Sequence, residues 1–111
     1  MRASFLDPGL LRTELVLEQA GLAPDGLGGH TESWSEAATV FGHVEPLAAR
    51  SRFGADQTLE EVTHRISLRA RADVMSGLRL RKGARVFDIV TVHDPDESGR
   101  YLVCRVREAG R

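Results

Sequence analysis

A chain of 111 residues is long enough for one domain and short for two, and its 41% apolar and 28% charged residues exclude wholesale disorder. The longest apolar runs are a few residues, which excludes a helical membrane span, and the one cysteine, Cys104, excludes an internal disulfide. The formal net charge of −1 hides a division: residues 1–61 carry −6 and residues 62–111 carry +5. Such polarity suits a subunit that packs against copies of itself or against stacked partners, although a solvated surface can cluster charge by accident.

The first residues, Met1 to Pro8, hold no apolar stretch of the kind a secretory signal requires. Pro8-Gly9 marks a turn. From Leu11 to Glu18 the chain alternates, with Leu11, Thr13, Leu15 and Leu17 on one face and Arg12, Glu14 and Glu18 on the other. Period two predicts a half-buried strand; a helix competes, because Leu, Glu and Arg favour it. Residues 20–31 hold four glycines and a proline and predict a flexible loop, with Asp25-Gly26 and Gly28-Gly29 as turn chemistry. The loop lacks the Gly-Lys-Ser/Thr ending of a phosphate loop.

Trp34 opens the next apolar stretch, and Thr39–Glu45 predicts a strand with Val40 and Val44 on one face and Phe41 and His43 on the other. Pro46 is expected to stop it. Leu47 to Leu59 has no β-branched residue before Thr58 and is the best helix candidate, weakened at Gly54 by about 1 kcal/mol relative to alanine. Glu61–Arg69 alternates cleanly, Val62, His64, Ile66 and Leu68 opposing Thr63, Arg65, Ser67 and Arg69. Lys82-Gly83 is a tight turn before a β-branched strand, Arg85–Val92. Asp94–Gly99 is a turn, and Tyr101–Arg107 returns as the last strand. The expected fold is mainly β: one small barrel of about five to seven strands, spanning 1–111, with one short helix between strands.

No constellation for catalysis stands out. His30, His43, His64 and His93 are isolated, and no cysteine cluster accompanies them, so neither a metal nor a cofactor is expected. Cys104 lies mid-strand, where a buried inert thiol is the common case. Asp94, Asp96 and Glu97 lack the rest of a calcium loop. The chain is therefore not expected to be an enzyme. Residues 65–85 carry Arg65, Arg69, Arg71, Arg79, Arg81, Lys82 and Arg85 against one acid, Asp73. These could face phosphates, which makes a nucleic-acid-binding module the alternative reading. Aromatic residues, at 5%, are scarce for base stacking, and subunit contact is the preferred role.

The order of parts resembles the phage head–tail joining, or head-closure, family. The resemblance runs from about residue 8 to 108. It is carried by Thr31-Glu32-Ser33-Trp34, by Ala38–Leu47, and by a segment with Arg50 and Phe53. Glu61-Val62-Thr63-His64-Arg65 and Gly83-Ala84-Arg85-Val86-Phe87-Asp88-Ile89 follow. Family members often open their first strand with an Arg-His-Arg type pattern; here Arg12-Thr13-Glu14 stands there, so a basic role for that strand is not carried over. The resemblance implies a ring subunit, six- or twelve-fold, in the neck of a tailed phage or gene-transfer-agent particle made in the bacterial host cytoplasm. Its implied neighbours are a portal or adaptor ring, a tail terminator or tail tube, and packaged DNA in the channel, with no membrane. The candidate assembly residues are Arg50, Arg52, Phe53, Arg65, Arg69, Arg79, Arg81 and Lys82.

Overall fold

The computed structural model describes residues 7–24, 26–53 and 60–110, and of Ala23, Pro24, His30, residues 48–53 and Glu60 the backbone alone. A 3-10 turn at Pro8–Leu10 precedes six strands: β1 (Thr13–Pro24), β2 (His30–Phe53), β3 (Glu60–Arg69), β4 (Arg79–Lys82), β5 (Arg85–His93) and β6 (Tyr101–Glu108). Every pairing is antiparallel. The order is β1-β2-β3-β6-β5-β4, and β4 returns to β1, so the sheet closes into a barrel.

The alternating segments behave as their periodicity predicts. Leu15, Leu17, Val40, Ile66, Leu68, Leu80, Phe87, Ile89, Cys104 and Val106 point inward and form one buried cluster with Val74. Fully burying one such leucine or phenylalanine contributes about 1.5–3 kcal/mol. The inward face expected for β3 is the observed one, with Val62, His64, Ile66 and Leu68 all buried. Ser67, expected outside, is only 1% exposed; it faces Val103, itself 2% exposed, across the β3–β6 ladder, so part of the outer face is sealed as well.

Three expectations fail, two on β2 and one where β1 turns into it. The helix expected over 47–59 is absent from 47–53, which is strand, while 54–59 lie outside the described residues; the 3-10 turn is the only helical element among the described residues. Ser51, Arg52 and Phe53 pair with Val62, Glu61 and Glu60, and this ladder overrides the local preference for helix. Pro46 does not end the strand: it pairs with His64 at the last position before a register shift that ends at Ser51, the kind of irregularity beside which a strand tolerates proline. The loop expected over 20–31 is also narrower. β1 continues to Pro24 and β2 begins at His30, with pairing maintained from Glu18↔Glu36 to Pro24↔His30. The turn that remains carries Gly26 and Gly28 at positive φ.

β2 therefore belongs to two ribbons. One, with β1, extends beyond the barrel at its start; a shorter one, with β3, extends beyond the barrel at its end. The molecule measures 62 × 33 × 24 Å. Gly42 is the handover point, pairing with Thr13 of β1 and Leu68 of β3; among the described residues it alone belongs to both ladders. A Cβ there would lie 2.9 Å from the Ser67 carbonyl oxygen and 3.2 Å from Ile66 Cγ2 and Leu15 Cδ1. Gly42→Ala should lower stability by about 1–3 kcal/mol through overpacking. Gly21→Ala, whose Cβ would meet only Ser33 Oγ at 3.8 Å, should be close to neutral. Urea unfolding of the two variants checks the contrast.

Candidate assembly surfaces

The basic stretch folds against acids of the same chain. Arg65 donates twice to Glu45, at 3.1 Å each, and Arg71 twice to Asp73, at 3.0 and 3.1 Å. Arg79 and Arg81 both donate to Glu18, at 2.6 and 2.9 Å, and Arg81 also reaches Glu36 at 3.1 Å. Arg85 donates twice to Glu108, at 2.8 and 3.0 Å. Arg69 lies 5.9 Å from the Tyr101 ring centroid, and Lys82 is exposed at the end of β4. The acidic first half and basic second half of the sequence thus neutralise one another within the molecule through Arg65, Arg79 and Arg81.

Local geometry explains the tightest of these clusters. Glu18 keeps the outward side that its alternation predicts, next to a register shift between Leu17 and Glu18, yet it is only 6% exposed because two arginines of β4 cover it. The β1–β4 ladder sets Glu18 opposite Arg79, with Arg81 two residues along the same face. Burial pushes the Glu18 carboxyl up, but hydrogen bonds from Arg81 and Arg79 and their charges outweigh it and hold the group below its ordinary value. The Arg79 guanidinium also stacks 4.1 Å from the Trp34 ring centroid. Glu18, Glu36, Arg79, Arg81 and Trp34 together clamp the root of the β1/β2 ribbon.

A second cluster straps β3, β5 and β6. His64 Nδ1 lies 2.8 Å from Thr63 Oγ1, and its Nε2 lies 3.8 Å from the Glu108 carboxylate that Arg85 grips. The Glu108 N–H donates to Thr63 Oγ1 at 2.8 Å, and the His64 ring meets Phe87 edge-on at 5.1 Å. A hydroxyl, imidazole and carboxylate in this order look like a nucleophile array. The hydroxyl oxygen, however, already accepts a backbone N–H, and His64 and Glu108 are 5% and 6% exposed. The cluster is a brace. Burial pushes the Cys104 thiol up to about 12, which suits an inert core residue. In the β5–β6 turn, Asp94 accepts from the Gly99 and Asp96 N–H groups and Asp96 from that of Ser98, so these carboxylates shape the turn. Among the described residues no group of three or more His, Cys, Asp or Glu could hold a metal ion.

The sequence-predicted assembly residues fall into separate places. Arg50, Arg52 and Phe53 lie on the final segment of β2, and Arg65, Arg69, Arg79, Arg81 and Lys82 are spread over β3 and β4. Glu18, Glu36, Trp34 and Glu108 were not singled out, because their roles depend on partners distant in sequence. Gly42 could have been, since a glycine within a strand pattern signals close approach.

A family model described as phage head completion protein matches residues 6–109. The chain belongs to the phage head completion protein family. It is a structural, non-enzymatic protein of the virion-assembly class. A chain in the virion of a native gene transfer agent particle is 31% identical, with a TM-score of 0.66 over 87% of this chain and 93% of that one. The solution structure of protein SF1141 from Shigella flexneri 2a shares the fold at 22% identity, with a TM-score of 0.69 over 96% of this chain and 99% of that one. No curated protein matches.

Two outcomes follow from the site geometry of this head completion protein. Glu18→Gln should destabilise by about 1–2 kcal/mol at neutral pH, the arginines being partly solvated. Because the folded carboxyl titrates below its ordinary value of 4.5, its contribution is complete above that pH and is lost as pH falls through the folded value. The gap between wild type and variant, measured by urea unfolding from pH 7 to 3, should therefore close in acid. Cys104 should resist iodoacetamide in the native protein and react once the protein is unfolded, as mass spectrometry would record.

Proposed function

We propose that the chain is a ring subunit of the head–tail interface in a tailed phage or gene-transfer-agent particle, where it closes the DNA-filled head and presents the docking surface for the tail. The observation that carries this reading is membership of the head completion family, supported by the likeness to a gene transfer agent virion chain. The architecture fits it. A closed sheet leaves few strand edges for uncontrolled pairing, so contacts fall to side chains and ribbons. A ring requires two different complementary faces on each subunit, and the ribbons emerge from opposite ends of β2. In this reading the portal or adaptor lies on the head side, the tail terminator or tube on the tail side, and DNA in the channel.

Arg50, Arg52 and Phe53 on the β2/β3 ribbon, with Arg69 and Lys82 on the barrel, are the residues proposed to face neighbours. Arg65, Arg79 and Arg81 act less directly, Arg65 by its fork onto Glu45 and the other two by holding the β1/β2 ribbon in place. The nucleic-acid-binding alternative loses support from the ion pairing. Five of the seven basic residues of 65–85 already have a carboxylate partner, leaving little free charge to neutralise phosphates.

Deleting the protein from a producing host tests the reading by electron microscopy. Heads without attached tails and with leaked DNA are expected; full heads joined to tails would refute it.

A further inference from the structure

The β1/β2 ribbon has two unlike faces. Residues directly opposite in an antiparallel pair share a face, so Ala20 with Trp34 and Leu22 with Glu32 stand on one side, while Gln19, Gly21, Ser33 and Ser35 stand on the other. Leu22 is 74% exposed, and Leu27 at the turn is 91% exposed. Glu18 and Glu36 begin the first side and Arg79 covers its Trp34, so what that side leaves open is its outer part, Ala20 and Leu22 beside Glu32, an exposed apolar spot edged by an acid.

A matching surface lies elsewhere on the molecule. Pro8, Leu11, Val40 and Phe41 line a groove of about 420 Å³, with Arg69 and Arg71 at its rim. Phe41 is 52% exposed on the outer face of β2. The charges are complementary. Residues 18–36, which make up the ribbon, contain four acids and neither lysine nor arginine. Glu32 stands beside Leu22 on the first side and is exposed, as is Arg69 at the groove. The ribbon does not reach its own groove. Phe41 pairs with Glu14, eight residues before Leu22, which sets Leu22 about 26 Å away along the strand at about 3.3 Å per residue. The Glu18 clamp fixes the root and prevents the ribbon from folding back.

We propose that the β1/β2 ribbon of one copy docks in the Pro8–Leu11–Phe41 groove of a second copy of this chain, Leu22 against Phe41 and Glu32 against Arg69. This rests on the reading of the chain as a ring subunit and names its subunit contact. The contact is heterologous: one end of each subunit meets the opposite region of the next, which is the arrangement a ring repeats.

The test uses assembled particles carrying Leu22→Cys together with Phe41→Cys, and a second pair, Leu22→Cys with Leu11→Cys, should the first disturb assembly. After mild oxidation, a non-reducing gel probed for this chain should show a ladder of multimers, with none when Leu22→Cys or Phe41→Cys is present alone. Glu32→Arg or Arg69→Glu, each added to the cysteine pair, should lower the ladder about tenfold, and both together should restore it. Absence of a ladder from both cysteine pairs overturns the proposal, as does cross-linking of Leu22→Cys to a different protein. The copy number of the chain per particle, measured by quantitative mass spectrometry, separates the two readings. Several copies without a ladder sink the ribbon contact and leave the ring standing; a single copy sinks both.

Discussion

The closure of the sheet hangs on its shortest seam. β1 and β4 pair through only three residue couples, Val16↔Arg81, Leu17↔Leu80 and Glu18↔Arg79. So little backbone pairing is a weak fastening by itself. The seam is held because Leu17 and Leu80 are both fully buried and because the Glu18 carboxylate bridges Arg79 and Arg81 at its end. A nearly buried carboxylate is costly without partners and favourable only with several hydrogen bonds, so Glu18 and the two arginines stand or fall together. The same three side chains mark where β1 leaves the barrel, so the group that closes the sheet also sets the angle of the ribbon. Trp34, under Arg79, ties β2 into the same point.

Much of this architecture was legible in the order of residues. β3, β5 and β6 announce themselves through period-two alternation and β-branched content, and the inward residues read from β3 are the buried ones. The failures share a cause. Residues 47–53 look helical because alanine and arginine tolerate helices, yet the ladder to Glu60–Val62 decides their conformation. The glycine-rich segment from residue 20 looks like a loop because glycine and proline punctuate chains, yet its pairing partner lies just beyond the turn. In both places the deciding interaction joins residues that a window of local sequence does not connect.

The candidate site was legible by composition and not by arrangement. Counting charges correctly found an acidic first half and a basic second half, and counting alone made them look like faces offered to neighbours. The fold spends much of that complementarity inside the subunit: Arg65 takes Glu45, and Arg79 and Arg81 take Glu18. Spacing holds no trace of this, since Glu18 and Arg79 are 61 positions apart. Glu18 even sits on the expected outward side of its strand, and it is buried there only because β4 brings Arg79 and Arg81 over it.

Internal pairing also decides which charges are left for assembly. A guanidinium already forked onto a carboxylate has little to gain from a partner, because a new contact must first replace an existing one. Charges outside such pairs act at lower cost, and exposed ones steer encounter and register more than they add affinity. On the ribbon, Glu36 is engaged by Arg81 while Glu32 stands farther out, beside the exposed Leu22. Around the groove, Arg71 is engaged by Asp73 while Arg69 rests on an aromatic ring. The self-neutralised barrel therefore concentrates its adhesive features at the ribbon and at the groove, and a rigid clamp at the ribbon root holds the two at a fixed separation. Fixed separation is what a closing assembly needs, because a loosely hinged ribbon would reach neighbours at many angles and favour open chains over rings.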